Sequence, residues 1–238
     1  MGAKEQHTFG AFEALANRVR TRRIRRWAAI ESDFLRAVER FDTEYSRGKR
    51  DSGWYKSKAR YFNEIALELV ANASGKEIAG PVHRQSQLFH KIDIDICYPA
   101  EGDPITAAEV KALGTPPHPG NGNKARRGSS DLHKRVREVA LTAIDIKAAY
   151  ARPVSIKSFR AWVERTEPAY FSFWAIRTEN QGDFESVRSI LVGLRSYCNG
   201  VGAILYSPTT SNPMKYCIRK VPELKMDNAL REMAQRTA

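Results

Sequence analysis

Residues 91–98 read KIDIDICY, and residues 105–113 read ITAAEVKAL. In the first stretch apolar and polar side chains alternate, which is typical of a half-buried β-strand. The isoleucines would share one face with Tyr98, and Asp93 and Asp95 would project from the other. The turn-forming residues 99–104 separate the two stretches, so we expect them to form a hairpin or at least to be neighbours in a sheet.

Helical periodicity surrounds this pair of strands. Residues 9–45 predict two helices with Phe34, Val38 and Phe41 on a buried face, and a third amphipathic helix ends at Gly75. After the strands, residues 114–129 are rich in Pro, Gly and Asn and predict a loop, and Ser130 is a candidate cap for a long helix.

The remaining third of the chain continues to alternate between strand and helix. We predict strands at 169–177 and 202–207, a helix at 184–197, and an edge strand at 214–221. The sequence therefore indicates a mixed α/β fold with a helical N-terminal extension at residues 1–53 and a core at 54–238.

The charge of the chain points to a polyanionic partner. The 238 residues include 39 Lys and Arg against 27 Asp and Glu, a net charge of +12. Residues 1–60 and 116–160 each carry +7, whereas residues 61–115 carry −4. Two basic segments thus flank an acidic one. Nucleic acid and an anionic membrane surface are both partners that this charge would attract.

Other classes of protein are disfavoured. No apolar run approaches the length that spans a bilayer, and the first ten residues lack a signal pattern, so we expect no membrane association and a cytoplasmic location. Cys97, Cys198 and Cys217 form no CxxC pair, and we expect all three to be reduced and mostly buried.

The acidic segment carries the candidate chemistry. Asp93 and Asp95 lie on one strand, and Glu109 and Lys111 project together from the next, so three carboxylates and one ammonium can meet above one sheet. Hard oxygen ligands suit Mg²⁺, which fills its remaining positions with water and phosphate oxygens. A nearby lysine can orient the attacking water or offset charge in the transition state.

This pattern resembles the PD-(D/E)xK nuclease superfamily, which includes many type II restriction endonucleases. Asp93, or alternatively Asp95, matches the first acid, and Glu109 with Lys111 matches the second half of the motif. Asp93 is favoured because it opens the hydrophobic part of its strand. Two further [DE]xK tripeptides, at 145–147 and 223–225, lack a preceding acidic strand.

The resemblance implies a restriction endonuclease-like core: a mixed β-sheet flanked by helices. It implies a Mg²⁺-dependent endonuclease that cuts double-stranded DNA, acts as a homodimer, and holds the metal with Asp93, Asp95 and Glu109. Asp93, Glu109 and Lys111 would be catalytic. The basic residues expected to contact DNA are Arg22, Arg23, Arg25, Arg26, Lys124, Arg126 and Arg127.

Three alternatives remain open. The same fold also serves nucleotide-activated or structure-specific defence nucleases. The chain could instead be a DNA-binding protein without catalysis, using the same basic surfaces. Finally, the four charged residues could be ordinary exposed side chains on a solvated strand face, although carboxylates facing each other across strands repel unless a cation compensates.

Overall fold

A computed structural model describes residues 6–48, 52–85, 91–151 and 167–238. It has six α-helices and seven strands in these ranges, so the expected mixed α/β class is confirmed. The helices are α1 (Gln6–Thr21), α2 (Glu31–Ser46), α3 (Ser52–Ser74), α4 (Leu132–Ala151), α5 (Gln181–Leu194) and α6 (Met226–Thr237). The strands are β1 (Val82–Gln85), β2 (Lys91–Ile94), β3 (Ile96–Tyr98), β4 (Thr106–Leu113), β5 (Ala169–Arg177), β6 (Gly200–Pro208) and β7 (Tyr216–Arg219).

Five strands form the main sheet in the order β3-β4-β5-β6-β7. The central strands β4, β5 and β6 are parallel, and the outer strands β3 and β7 run antiparallel to their neighbours. Helix α4 lies between β4 and β5 in the chain, and α5 lies between β5 and β6, because parallel neighbours require a crossover. The expected strands at 105–113, 169–177, 202–207 and 214–221 are therefore confirmed with small shifts at their ends.

The strand predicted at 91–98 is in fact two strands. The chain bends at Asp95, so that β2 pairs with β1 in a separate two-stranded ribbon while β3 joins the main sheet. The isoleucines on both sides of the bend are buried, which preserves the alternation that suggested one strand. Side-chain period alone does not distinguish one strand from two strands with a bend between them.

The sheet is covered on both faces. Helices α4 and α5 pack on one face, against the side chains of Tyr170, Trp174 and Leu205. On the other face α1, α2, α3 and α6 enclose a cluster with Phe171 and Phe173. The C-terminal helix α6 was not predicted, although Met226, Leu230 and Met233 follow helical spacing.

The N-terminal helices contribute to the core of the sheet. Phe12 stacks on Tyr61 of α3 with ring centroids 5.5 Å apart, and the rings of Trp27 and Phe62 form a T-shaped pair with centroids 5.8 Å apart. The predicted apolar face of α2, which includes Phe34 and Phe41, is fully buried. The region assigned to an extension therefore shares one continuous hydrophobic cluster with the strands.

The local predictions for caps and cysteines are confirmed in part. Gly75 ends α3 with a φ of +70°, as expected. Ser130 does not cap α4 but lies within a short 3₁₀ turn that precedes it. All three cysteines are free, and Cys217 is exposed while the other two are buried. No helix in the described ranges combines the length and apolar character needed to cross a membrane.

Candidate functional site

Three charged side chains meet on the face of the sheet that α4 and α5 cover. Glu109 and Lys111 are two positions apart on β4 and so share a face. The Lys111 ammonium contacts the Glu109 carboxylate, and its Nζ lies 3.5 Å from Oδ2 of Asp95. The predicted meeting of carboxylates and a lysine on two adjacent strands thus involves Asp95, Glu109 and Lys111, which we call the charged triad.

The bend between β2 and β3 positions Asp95. Its Oδ2 accepts a hydrogen bond from the Val110 backbone N–H at 2.8 Å, and its carbonyl accepts one from the Asn63 side chain at 3.3 Å. Gly80 packs so closely that an added Cβ would lie 2.0 Å from the Asp95 carbonyl oxygen. The Asp95 carboxylate is therefore held toward β4 by contacts on both its side chain and its backbone.

Asp93 lies elsewhere. It is on the ribbon of β1 and β2, where it pairs with His83, and 72% of its side chain is exposed. The structure therefore brings Asp95 to Glu109 and Lys111, and it does not bring Asp93 there. Asp93 opens the apolar run, but the bend at Asp95 separates the two acids.

The triad is partly buried, with solvent reaching Asp95 and Lys111 more than Glu109. The exposed side-chain fractions are 27% for Asp95, 23% for Lys111 and 9% for Glu109. Burial raises the pKa of Glu109 to about 8, against the opposing effect of Lys111. Burial alone would lower the pKa of Lys111, but the carboxylates of Glu109 and Asp95 outweigh it and raise this pKa.

The triad offers few ligands to a metal ion. In the described part of the chain no group of three or more His, Cys, Asp or Glu side chains is arranged to hold one. Mg²⁺ is usually bound through one or two carboxylates, with water and phosphate oxygens completing its shell. Asp95 and Glu109 supply those two carboxylates, and a divalent cation beside Glu109 would favour its ionised form and lower its pKa.

Tyr170 lies next to the triad, although no pattern in the sequence indicated it. It is the diagonal neighbour of Glu109 across the parallel β4–β5 pair, on the same face. Its side chain is fully buried, and this burial, together with the Glu109 charge, raises the pKa of Tyr170. Residues that pair between β4 and β5 are 63 positions apart in the chain. Side-chain periodicity does not reveal which residues of two such distant strands lie opposite each other.

The loop that follows β4 carries three of the basic residues expected to contact DNA. Lys124 and Arg127 are exposed and form no ion pair with described residues, whereas Arg126 pairs with Asp131 at 2.6 Å. The loop begins at Gly114, three residues after Lys111, or roughly 10 Å along the strand. The loop therefore starts at the end of the strand that carries Glu109 and Lys111.

This loop, residues 114–129, is held at its base. Thr115 and Arg126 exchange two backbone hydrogen bonds of 3.0 Å, and the carboxylate of Asp183 accepts hydrogen bonds from the N–H groups of Gly128 and Ser129. Farther out, the ring of His118 lies 4.4 Å from that of Tyr45. These hydrogen bonds fix both ends of the loop and so limit where the residues near its tip can lie.

The other basic residues expected to contact DNA lie on the opposite side of the sheet. Arg22, Arg23, Arg25 and Arg26 are exposed on the connection between α1 and α2. Ile24 and Trp27 attach this connection to the cluster beneath α1 and α3, across the sheet from Glu109. The structure therefore does not bring these arginines to the triad.

Comparison of the chain with protein-family models, curated proteins and solved structures returns no match. The function is therefore inferred from the triad and its surroundings.

Proposed function

We propose that the protein is a Mg²⁺-dependent DNA endonuclease that hydrolyses phosphodiester bonds at the charged triad. The observation that carries the proposal is the contact of Lys111 on β4 with two carboxylates, that of Glu109 on the same strand and that of Asp95 at the bend between β2 and β3. Two carboxylates and a lysine at the edge of a solvent-accessible site are the groups that metal-assisted phosphodiester hydrolysis needs.

Each residue of the triad has a distinct role in this proposal. Asp95 and Glu109 would hold Mg²⁺, which when bound supplies Lewis-acid stabilisation to a phosphoryl oxygen and lowers the pKa of water. Lys111 has a raised pKa and so stays protonated at neutral pH. It therefore acts as a hydrogen-bond donor that orients the attacking water and offsets negative charge in the transition state, rather than as a base.

The order of elements supports the resemblance to PD-(D/E)xK nucleases. After α3 and the two-stranded ribbon of β1 and β2 comes the antiparallel pair β3 and β4, and then the crossover helix α4 and the parallel strand β5. The first acid of the motif would be Asp95 in place of the favoured Asp93. A restriction-type enzyme that cuts both strands would work as a homodimer, with one triad for each strand.

Double-stranded DNA would approach over the loop at residues 114–129. Lys124 and Arg127 are available to contact phosphates, and their loop begins at Gly114, roughly 10 Å along the strand from Lys111. Arg22, Arg23, Arg25 and Arg26 would reach the same DNA only if it wrapped around the sheet, or a second copy of the chain supplied them. Binding should weaken steeply with salt because each phosphate contact releases counterions.

The test is cleavage of plasmid DNA with and without Mg²⁺ by the wild type and by single variants. Lys111→Ala should lower the cleavage rate by roughly 10² or more, since a preorganised charge that acts on the transition state is lost. Asp95→Asn should have a comparable effect. Asp93→Asn is the matched control, and it should cleave like the wild type because Asp93 lies on the exposed ribbon.

Sequencing of the cut ends adds a second readout. Discrete ends would support sequence-specific restriction, and scattered ends would support a nuclease without a fixed site. Cleavage that is unchanged in Lys111→Ala would contradict the roles proposed for the triad. Salt-dependent DNA binding with no cleavage at any Mg²⁺ concentration would favour the DNA-binding protein without catalysis.

A further inference from the structure

Two adjoining depressions lie beside α2 on the surface of the molecule. One, of about 530 Å³, lies between α1 and α2, and the other, of about 460 Å³, lies between the second half of α2 and the turn that joins β6 to β7. Both are lined by Glu39, Arg40 and Lys215, so they form one continuous surface, which we call the α2 groove. The groove is separate from the triad, because α2 packs in the cluster with Phe171 and Phe173 on the other face of the sheet.

Arginine side chains follow one side of α2 along this groove. Arg36, Arg40 and Arg47 are exposed, and their spacing of four and seven residues places them on the same side of the helix and its last turn. They are separated by roughly 6 and 10 Å along the helix axis. These separations correspond to about two and three steps of a DNA strand.

Positive charge is in excess in the α2 groove. Its lining includes five cations and three carboxylates. Two of the carboxylates are engaged, since Asp33 contacts two arginines and Glu39 lies 2.9 Å from the Lys215 ammonium. Arg40 and Arg47 are exposed and form no ion pair within the described ranges. Their guanidinium groups therefore remain available to an anion.

The α2 groove also connects the two basic segments of the sequence. At one end it is lined by Arg18, and the connection at residues 22–26 follows directly along the chain. At the other end the loop at residues 114–129 rests on α2, where the ring of His118 lies 4.4 Å from that of Tyr45. The two basic segments thus lie at opposite ends of α2, roughly 24 Å apart along its axis.

We propose that the α2 groove holds the sugar–phosphate backbone of DNA and guides it from the connection at residues 22–26 to the loop at residues 114–129. Arginine suits this role because its planar guanidinium donates two parallel hydrogen bonds to one phosphate. A concave surface fits a strand better than a flat membrane. The large apolar side chains that are exposed among the described residues, Ile105, Ile144 and Tyr197, do not line the groove.

Fluorescence anisotropy tests the proposal with two labelled probes, a DNA duplex of about 20 base pairs and one of its separated strands. Each is titrated with the full chain in buffer that contains EDTA. We expect saturable binding with a Kd of about 1–100 µM at roughly 0.1 M salt. Arg40→Gln combined with Arg47→Gln should weaken this binding about tenfold and reduce the slope of log K against log salt concentration by about two.

The matched control is Arg195→Gln combined with Arg236→Gln. It removes the same charge from two exposed arginines, one just after α5 and one on α6, that do not line the groove. The control should bind like the wild type. Equal weakening by the two double variants would overturn the proposal, because only the net charge would then matter, and so would the absence of saturable binding to both probes. A groove effect on the duplex alone identifies double-stranded DNA as the occupant, and an effect on the single strand alone identifies an unpaired strand.

The choice of DNA as the nucleic acid rests on the proposed function, but the two can fail separately. If the groove variant weakens binding and the wild type does not cut the duplex in Mg²⁺, the groove stands and the nuclease is rejected. If the wild type cuts the duplex in Mg²⁺ and the groove variant binds as tightly as the wild type, the groove is rejected and the nuclease stands.

Discussion

Lys58 lies fully inside the protein, at the side of the sheet away from the triad. Its Nζ is 3.4 Å from Oδ1 of Asp42 and 3.1 Å from the hydroxyl of Tyr206, so the charge is paired and hydrogen-bonded. Tyr216 donates to the other oxygen of Asp42 at 2.8 Å. Even so, burial outweighs the attraction of Asp42 and lowers the pKa of Lys58 to about 8.

Lys58 should therefore make stability depend on pH. In the unfolded chain its pKa is near 10.5, so between about pH 8 and 10.5 the unfolded state binds more protons than the folded state. The free energy of unfolding should rise with pH across this window, by up to about 3 kcal/mol from this group.

Denaturant unfolding of the wild type and of Lys58→Met from about pH 7.5 to 9.5 measures this effect. The free energy of unfolding of the wild type minus that of Lys58→Met should increase as the pH rises. Subtracting the variant removes contributions that both proteins share, such as those of the buried tyrosines. A difference that stays constant over the window would contradict the lowered pKa.

The residues of the site were predictable to different degrees. Glu109 and Lys111 follow from period-2 alternation within one strand, which is local information. The choice between Asp93 and Asp95 depends on a bend that the regular alternation of residues 91–98 conceals. Tyr170 depends on the register of a parallel pair, which is fixed by packing rather than by any local signal.

The loop at residues 114–129 shows how an element lacking regular structure can be ordered. Gly114 has a φ of +78°, and a Cβ there would lie 2.3 Å from the Arg177 carbonyl oxygen. A Cβ at Gly128 would come within 2.7 Å of the same atom. Both ends of the loop thus pack against the end of β5, where only glycine fits.

Asp183 should control how well this loop is held. Asp183→Ala removes the acceptor for the N–H groups of Gly128, Ser129 and Glu179, and should lower the free energy of unfolding by about 1–3 kcal/mol. Limited trypsin digestion should then cut faster at Lys124 and Arg127, as measured by mass spectrometry.

The control for the loop is Asp131→Ala, which removes only the exposed pair with Arg126. It should leave trypsin cleavage at Lys124 and Arg127 close to that of the wild type, because exposed ion pairs contribute little. Equal rates for Asp183→Ala and the wild type would show that Asp183 is not what holds the base of the loop.

The whole molecule depends on helices at both ends of the described chain. Helices α1 and α2 bring Phe12, Phe34 and Phe41 into the cluster that covers one face of the sheet, and α6 packs beside α3 in the same layer. The sequence revealed the apolar face of α2, but not that of α1, nor that both helices join the strands in one core. Which faces meet is a long-range property.

A shortened chain, residues 52–238, should therefore not unfold cooperatively. Without α1 and α2, the apolar face of α3 that includes Phe62 would be exposed to water. Thermal unfolding followed by circular dichroism should give a broad transition for this chain and a sharp one for the full chain.

The control for that experiment is the full chain with four exposed arginines replaced by Gln, namely Arg22, Arg23, Arg25 and Arg26. These side chains are exposed, so the sharp transition should persist. A sharp transition in residues 52–238 would show instead that the N-terminal helices form a dispensable extension.

The antiparallel step from β3 to β4 and the parallel step from β4 to β5 differ in the length of chain that each must close. Asp95 and Val110 are 15 positions apart, whereas Thr106 and Ala169 are 63 apart. Closing the longer segment costs about 1 kcal/mol more in chain entropy. The three charges of the triad are thus brought together by local chain, and their burial beside Tyr170 depends on distant chain. A substitution that weakens only the pairing of β4 with β5 would leave Asp95, Glu109 and Lys111 in contact but expose them to solvent. The pKa of Glu109 would then fall toward its ordinary value, because burial is the main cause of its rise.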